Sequence, residues 1–272
     1  MKATSVKMNV TVAGNFQELA QETLELFIAD AGKVIEARNR FCVAISRYIP
    51  RSFFELLGER PQSKALPWDK IHLFLVDECC GSPDFRNNNF RLAEHSFIPK
   101  VGIPAENVHS ICSQHRNCAY VASIYEQTIC HVVELRKSGV PRFDLVMLRM
   151  DADAHIASLF PDTYAFFDTE DIVRVIYFMD SRHTRITITN QVLRAAFHTA
   201  VLVSGEEKAA ILREVLTNDP DEVRYPIHAI WPILDRVSWL IDRSAAKFLL
   251  PQGPSNKVML RRSQFIRHYE RL

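Results

Sequence analysis

Apolar residues along the chain gather into short runs that alternate with helically spaced stretches. Phe41–Ile45 (FCVAI), Ile71–Val76 (IHLFLV), Phe143–Leu148 (FDLVML), Arg185–Thr189 (RITIT) and Ala200–Val203 (AVLV) predict strands, most of them apolar enough to be buried on both faces. Phe16–Ala37 predicts a helix whose apolar face carries Leu19, Leu24, Leu26, Phe27 and Val34. Pro50 opens a second at RSFFELL. Asn89–Ile98 predicts a short helix ended by Pro99, because the residue before a proline is pushed out of the helical region. Asn117–Lys137 predicts a long one that stops at Ser138-Gly139. Glu206–Leu216 and Ser238–Leu250 read as closing helices.

Strands separated by helices predict an α/β fold: a three-layer α/β/α arrangement around a mainly parallel, Rossmann-like sheet. With no repeat, linker or low-complexity stretch, one domain over residues 1–272 is the simplest reading. Such sheets bind ligands beyond the carboxyl ends of their strands. The residues to read for chemistry are therefore Ser46–Pro50, Asp77–Cys80, Arg149–His155 and Ser204–Lys208.

Charge changes the picture little. With 33 Lys+Arg against 32 Asp+Glu the net charge is +1, which argues against a polycation that coats nucleic acid. The basic tail from Arg261 to Arg271 is interrupted by Glu270 and reads as a solvated helix. No apolar run reaches the roughly 18 residues of a membrane span, and the N-terminus lacks the apolar core of a secretory signal. Neither nucleic acid nor membrane is an expected partner. The six cysteines (Cys42, Cys79, Cys80, Cys112, Cys118, Cys130) are scattered, which predicts reduced thiols and a cytoplasmic protein. Glycine is scarce, 8 in 272 residues against a usual share of roughly 7%. A glycine-rich phosphate loop is correspondingly disfavoured, and neither a Walker loop nor GxGxxG, GxSxG or HExxH occurs.

Four constellations could carry chemistry. Asp77 and Glu78 directly follow an apolar strand, where carboxylates must be solvated, paired or used. Asp151, Asp153 and His155 form an alternating Asp-x-Asp-x-His, which can orient a histidine, ligate a metal, or simply start a helix. Ser204-Gly205-Glu206-Glu207-Lys208 follows a strand and opens a helix, with a glycine that lets amides approach an anion and a lysine that adds charge; a solvated surface lysine is the plainer reading. His109, Cys112, His115 and Cys118 are four possible zinc ligands. Their every-third-residue spacing departs from paired knuckles, so a reduced surface loop is the better reading and no metal is expected.

Taken together, these segments resemble the 6-phosphogluconolactonase family, within the glucosamine-6-phosphate isomerase/deaminase fold group, over about Phe16 to Pro251. RMDADAHIASLFPDT is similar to the family's G-x-G-x-D-G-H-T-A-S-L-F-P-G, and PWDKIHLFLVDECC to P-W-x-x-V-x-x-F-x-x-D-E-R-x-V. NNNFRLAE is similar to S-N-x-x-x-A, and RITIT, VSGEEKAAIL and VSWLIDRSAA follow in family order. The resemblance implies cofactor-free hydrolysis of 6-phosphogluconolactone to 6-phosphogluconate in the oxidative pentose phosphate pathway, by a monomer or homodimer. It implies that His155 activates water, that Asp153 or Asp77 orients it, and that Lys208 holds the sugar phosphate. It also brings Asn89 and Arg185 to the substrate. In place of the family's S-G-G-S-T-P the chain has Ile45–Pro50, with Ser46 and Arg47 where glycines stand. The D-E-R arginine is Cys79, and the glycines around the histidine are Arg149, Asp151 and Ala154. Each replacement would strain the backbone wherever the glycine had positive φ, and Arg47 and Arg149 could bind phosphate by side chain instead. Two alternatives stay open: a non-catalytic homologue that binds a ligand or partner in a remnant pocket, and an amino-sugar-phosphate deaminase. SLFP speaks against the latter, because deaminases carry A-F-N-E-P there.

Overall fold

All five residues of Phe41–Ile45 are buried, because both faces of this strand are covered. Phe41, Val43 and Ile45 point into one core, with Leu145, Met147, Ala200, Leu202 and Leu240. Cys42 and Ala44 point into the other, with Val146, Leu148, Val201, Val203, Trp239 and Ile241. This two-residue alternation, repeated strand after strand, places the sheet between two layers. The computed structural model describes residues 6–47, 49–80, 89–111, 117–161, 170–178, 184–249 and 261–262.

In chain order the strands are β1 (Val6–Lys7), β2 (Asn9–Ala13), β3 (Phe41–Ile45), β4 (Ile71–Leu75), β5 (Asp77–Cys79), β6 (Val108–His109), β7 (Leu145–Arg149), β8 (Val173–Ile176), β9 (Arg185–Ile188), β10 (His198–Val203), β11 (Val237–Asp242) and β12 (Arg261–Arg262). A seven-stranded sheet runs β2-β11-β10-β7-β3-β4-β6, and its paired strands are parallel throughout. A small antiparallel sheet, β5-β9-β8, stands beside it. The predicted α/β class is therefore right.

The helix Phe16–Arg38 starts at Asn15, whose side chain accepts from the Gln17 and Glu18 amides at 2.9 Å. Glu18 in turn accepts from the Gly14 amide, just before the cap, at 2.8 Å. The helix ends on left-handed Asn39. Its buried Phe27 meets Phe41 and Phe53 edge-on and stacks on Trp68, and each such ring contributes roughly 1.5–3 kcal/mol on burial. Among the described residues no helix is long and apolar enough to cross a membrane.

Several elements differ from expectation. Ser238–Leu250 is not a helix: Val237–Asp242 is a wholly buried strand between β2 and β10. Val237, Trp239 and Ile241 face one core and Leu240 the other, a period of two that the apolar residues farther on disguise as helical. RITIT lies in the antiparallel sheet rather than the parallel one. The long helix spans only Cys118–Val132, because the chain then turns back and Leu135 bridges Pro141. Pro99 stands in the first turn of a new short helix, Ile98–Val101, where its missing N–H is tolerated. In the tail, Arg261–Arg262 is extended and pairs with β1.

The expectation of reduced thiols fails for one pair. Cys80, just after β5, and Cys118, which opens the helix Cys118–Val132, are joined as a disulfide with Cα atoms 5.8 Å apart. Cys42, Cys79 and Cys130 are free thiols.

Candidate active site

From β3 the chain moves outward through β4 to β6, then returns to β7 on the other side of β3 and continues to β10 and β11. The strand order reverses between β3 and β7, and a crevice opens there at the carboxyl ends. Ser46, immediately after β3, bridges the two strands. Its amide donates to the Met147 carbonyl at 2.9 Å, and its hydroxyl accepts from the Arg149 amide at 3.0 Å. A cavity of about 80 Å³ lies over this point. It is smaller than the roughly 300 Å³ usual for enclosing a whole small ligand. Ser46, Arg47, Asp77, Arg149, Asp151, His155 and Arg185 line it, with Ala157 and Phe160 as the apolar part.

Asp77 is fully buried and serves the cleft from below. Its Oδ2 accepts from the Ser158 hydroxyl at 2.7 Å and from Arg185 Nη1 at 3.1 Å, and its Oδ1 accepts from the Arg47 amide at 3.3 Å. One carboxylate thus ties together the loop after β3, the strand β9 and the loop after β7. None of these three bonds is to His155. Arg47 Nη1 donates to Cys79 Sγ at 3.2 Å. A cation from the loop after β3 therefore stands beside the position where D-E-R would carry its own arginine.

The segment Asp151–Leu159 is a chain of tight turns. The Asp151 amide donates to the His155 carbonyl at 3.1 Å, the Ala154 amide to Asp151 at 3.0 Å, and Leu159 to Ile156 at 3.0 Å. Ala154 and Ala157 sit at φ +64° and +54°. Of the family glycine positions that the structure describes, only Ala154 has positive φ, so Ser46, Arg47, Arg149 and Asp151 add side chains to the cleft without this backbone strain.

Asp153 Oδ1 lies 2.6 Å from His155 Nδ1 and accepts the His155 amide at 3.1 Å. Burial raises the Asp153 carboxyl, but the hydrogen bond and charge of His155 outweigh it and hold the group below its usual value. A carboxylate only accepts, so the bond places a proton on Nδ1 and leaves Nε2 as the ring nitrogen outside this pair. The imidazole also packs at a tilt against Phe160, with ring centroids 4.3 Å apart.

Lys208 is only 2% exposed and is not part of the cavity wall. Burial, followed by the charge of Arg149, lowers its pKa; Asp151, Glu207 and Asp242 oppose the shift. The Gly205 amide points at Asp242, with Oδ2 at 3.1 Å, so this loop's amide is occupied by the protein's own carboxylate. At φ +102° the position requires glycine. Asn89 begins the helix Asn89–Ser96; its side chain lies outside the described residues. Of the four possible zinc ligands, Cys112 and His115 lie outside them too, Cys118 is in the disulfide, and His109 stacks on Phe74 at 4.2 Å.

Sequence reasoning missed Ser158 and Phe160. Nothing in the alternating Asp-x-Asp-x-His pattern shows that Ser158 reaches Asp77, 81 residues away.

The family model for glucosamine-6-phosphate isomerases/6-phosphogluconolactonase matches residues 14–239. The chain is 32% identical over 241 residues to a 6-phosphogluconolactonase of Nostoc sp., covering 88% of this chain and 98% of that one. It is 30% identical over 243 residues to a 6-phosphogluconolactonase of Synechocystis sp., covering 89% and 98%. Among solved structures, a 6-phosphogluconolactonase from Leishmania guyanensis superposes with a TM-score of 0.78 at 24% identity, covering 90% of this chain and 99% of that one. A monomeric glucosamine-6-phosphate deaminase superposes with 0.72 at 20% identity, covering 88% and 99%. At these identities the structural likeness carries the fold, and both chemistries occur on it.

Proposed function

The chain belongs to the family of glucosamine-6-phosphate isomerases and 6-phosphogluconolactonases, and from that membership we propose that it hydrolyses 6-phosphogluconolactone to 6-phosphogluconate. The observation that carries the reading is the Asp153–His155 pair, 2.6 Å apart, at the edge of a cleft walled by Arg47, Arg149 and Arg185.

In this reading the arginines hold the phosphoryl group and the lactone carbonyl faces the imidazole. Nε2 of His155 takes a proton from water as the water oxygen bonds to the carbonyl carbon. Asp153 keeps the proton on Nδ1 and offsets the imidazolium charge that develops. The tetrahedral intermediate collapses with cleavage of the ring C–O bond. The imidazolium returns its proton to the departing ring oxygen, giving the open-chain acid and restoring the histidine. Asp77 acts at one remove, by fixing Arg185 and the loop after β3. Lys208 supports the Arg149–Asp151 side of the cleft rather than touching phosphate. No step changes an oxidation state, so this chemistry needs no redox cofactor.

Turnover of 6-phosphogluconolactone by His155→Ala, corrected for spontaneous ring opening, tests the assignment. A loss of about 10²–10⁴-fold with an unchanged melting temperature is expected. Unaltered turnover refutes His155 as the base.

A further inference from the structure

We infer that Asp151 is an internal counter-anion: its carboxylate competes with the substrate's phosphoryl group for Arg149 and so sets which anions the cleft accepts. The inference rests on the sugar-phosphate reading above.

A cleft that binds an anion has reason to exclude carboxylates, yet two line it. Asp77 is accounted for, being fully buried and bonded to Ser158, Arg185 and the Arg47 amide. Asp151 is different. Its side chain is 31% exposed and that of Arg149 26%, and Oδ1 meets Nη2 at 3.4 Å. The same oxygen accepts from the Ala152 amide at 3.0 Å. An ion pair this long between part-exposed groups is weak. A phosphoryl group with two negative charges forms contacts of about 2.7–2.9 Å with a guanidinium and displaces it.

Asp151 cannot move away as a unit. Its amide donates to the His155 carbonyl and its carbonyl accepts from Ala154, so the turns that present His155 also hold the Asp151 backbone at the cleft wall. Only the carboxylate can rotate aside. The opposed effects of Arg149 and Asp151 on Lys208 place all three within one electrostatic neighbourhood.

The consequence is selectivity by charge. A phosphomonoester dianion outcompetes the internal carboxylate, whereas a singly charged or neutral sugar derivative leaves the Arg149–Asp151 pair in place. The same competition weakens retention of the product, which keeps the phosphoryl group and gains a carboxylate.

Asp151→Asn tests this, because the amide oxygen still accepts from Ala152 while the charge is gone. Inorganic phosphate, titrated by calorimetry into the full-length protein at low salt, is expected to bind about fivefold more tightly to the variant. The gain should shrink as salt screens the site. Lactone kinetics should show the same gain in KM rather than in kcat, and stronger inhibition by product. An equal melting temperature shows that the fold is intact. Phosphate affinity that is unchanged or weaker in Asp151→Asn overturns the proposal, as does phosphate binding that survives Arg149→Gln undiminished. Tighter phosphate binding without lactone turnover in either protein would leave the counter-anion standing and fail the lactonase reading instead.

Discussion

Replacing Asp77 by asparagine separates the two aspartates that sequence reasoning could not tell apart. In its most tolerable orientation the new amide oxygen keeps the Ser158 and Arg185 bonds and the amide nitrogen faces the Arg47 amide, losing the 3.3 Å contact to a donor–donor clash. The larger effect is electrostatic. The Arg185 side chain is 15% exposed and that of Asp77 1%, so the guanidinium loses the Asp77 counter-charge where water cannot fully replace it. Breaking a buried pair this way costs about 3–5 kcal/mol. The low end applies, because one hydrogen bond to Arg185 survives. For a chain of this size about 3 kcal/mol corresponds to a fall in Tm of roughly 6–12 °C. Asp153 is the contrast, with a side chain 48% exposed. Asp153→Asn should unfold within about 0.5 kcal/mol of the wild type yet lose most of its turnover, because His155 is no longer held with its proton on Nδ1. Urea and thermal unfolding of both variants, beside lactone turnover, read the two effects. An Asp77→Asn protein within about 1 kcal/mol of the wild type would refute the buried-pair argument, and full turnover by Asp153→Asn would refute the orienting role.

Two further expectations concern the backbone and the cross-link. Ala154, fully buried at φ +64°, should tolerate glycine within about 0.5 kcal/mol, because relief of the left-handed strain is offset by lost methyl burial and added chain entropy. Valine there should be destabilising by about 2–4 kcal/mol in denaturant unfolding, and a stable Ala154→Val would show that the turn is not left-handed. Cys118→Ser should lower stability by about 2–4 kcal/mol, since the pair closes a loop with a sequence separation of 38. Reduction of the wild type should produce the same loss, and a reduced protein as stable as the oxidised one would show that the pair carries no cross-link in solution.

How far the sequence could be read depended on whether the deciding contacts were local. FCVAI is apolar at every position, and β3 has the bounds its pattern predicts. The helix from Phe16 is likewise announced by its own spacing. VSWLID was misread because the apolar residues that follow, Ala245, Ala246 and Phe248, extend its pattern into a helical one. The choice of strand is made by β2 and β10 on either side. β2 and β8 carry polar residues among their apolar ones and were not recognised, since what stabilises them is pairing with other strands, for β2 far along the chain. At the site, Asp153 lies two residues from the histidine it holds, so that pair was visible. The attachment of Asp77 to Ser158 and Arg185 spans 81 and 108 residues, and the Cys80–Cys118 link 38, and no local pattern encodes such distances. Lys208 reads as a phosphate ligand from its match to a family lysine, and the plainer reading of a solvated lysine does not fit its 2% exposure, where the charges of Arg149 and Asp151 act on it.

The decisive experiment is the rate of 6-phosphogluconate formation from freshly generated 6-phosphogluconolactone, with and without the purified wild-type protein, run beside ammonia release from glucosamine 6-phosphate. The account predicts a rate proportional to protein concentration and well above spontaneous hydrolysis in the first, and none above background in the second. A lactone rate indistinguishable from the spontaneous one, with or without ammonia release, would contradict it.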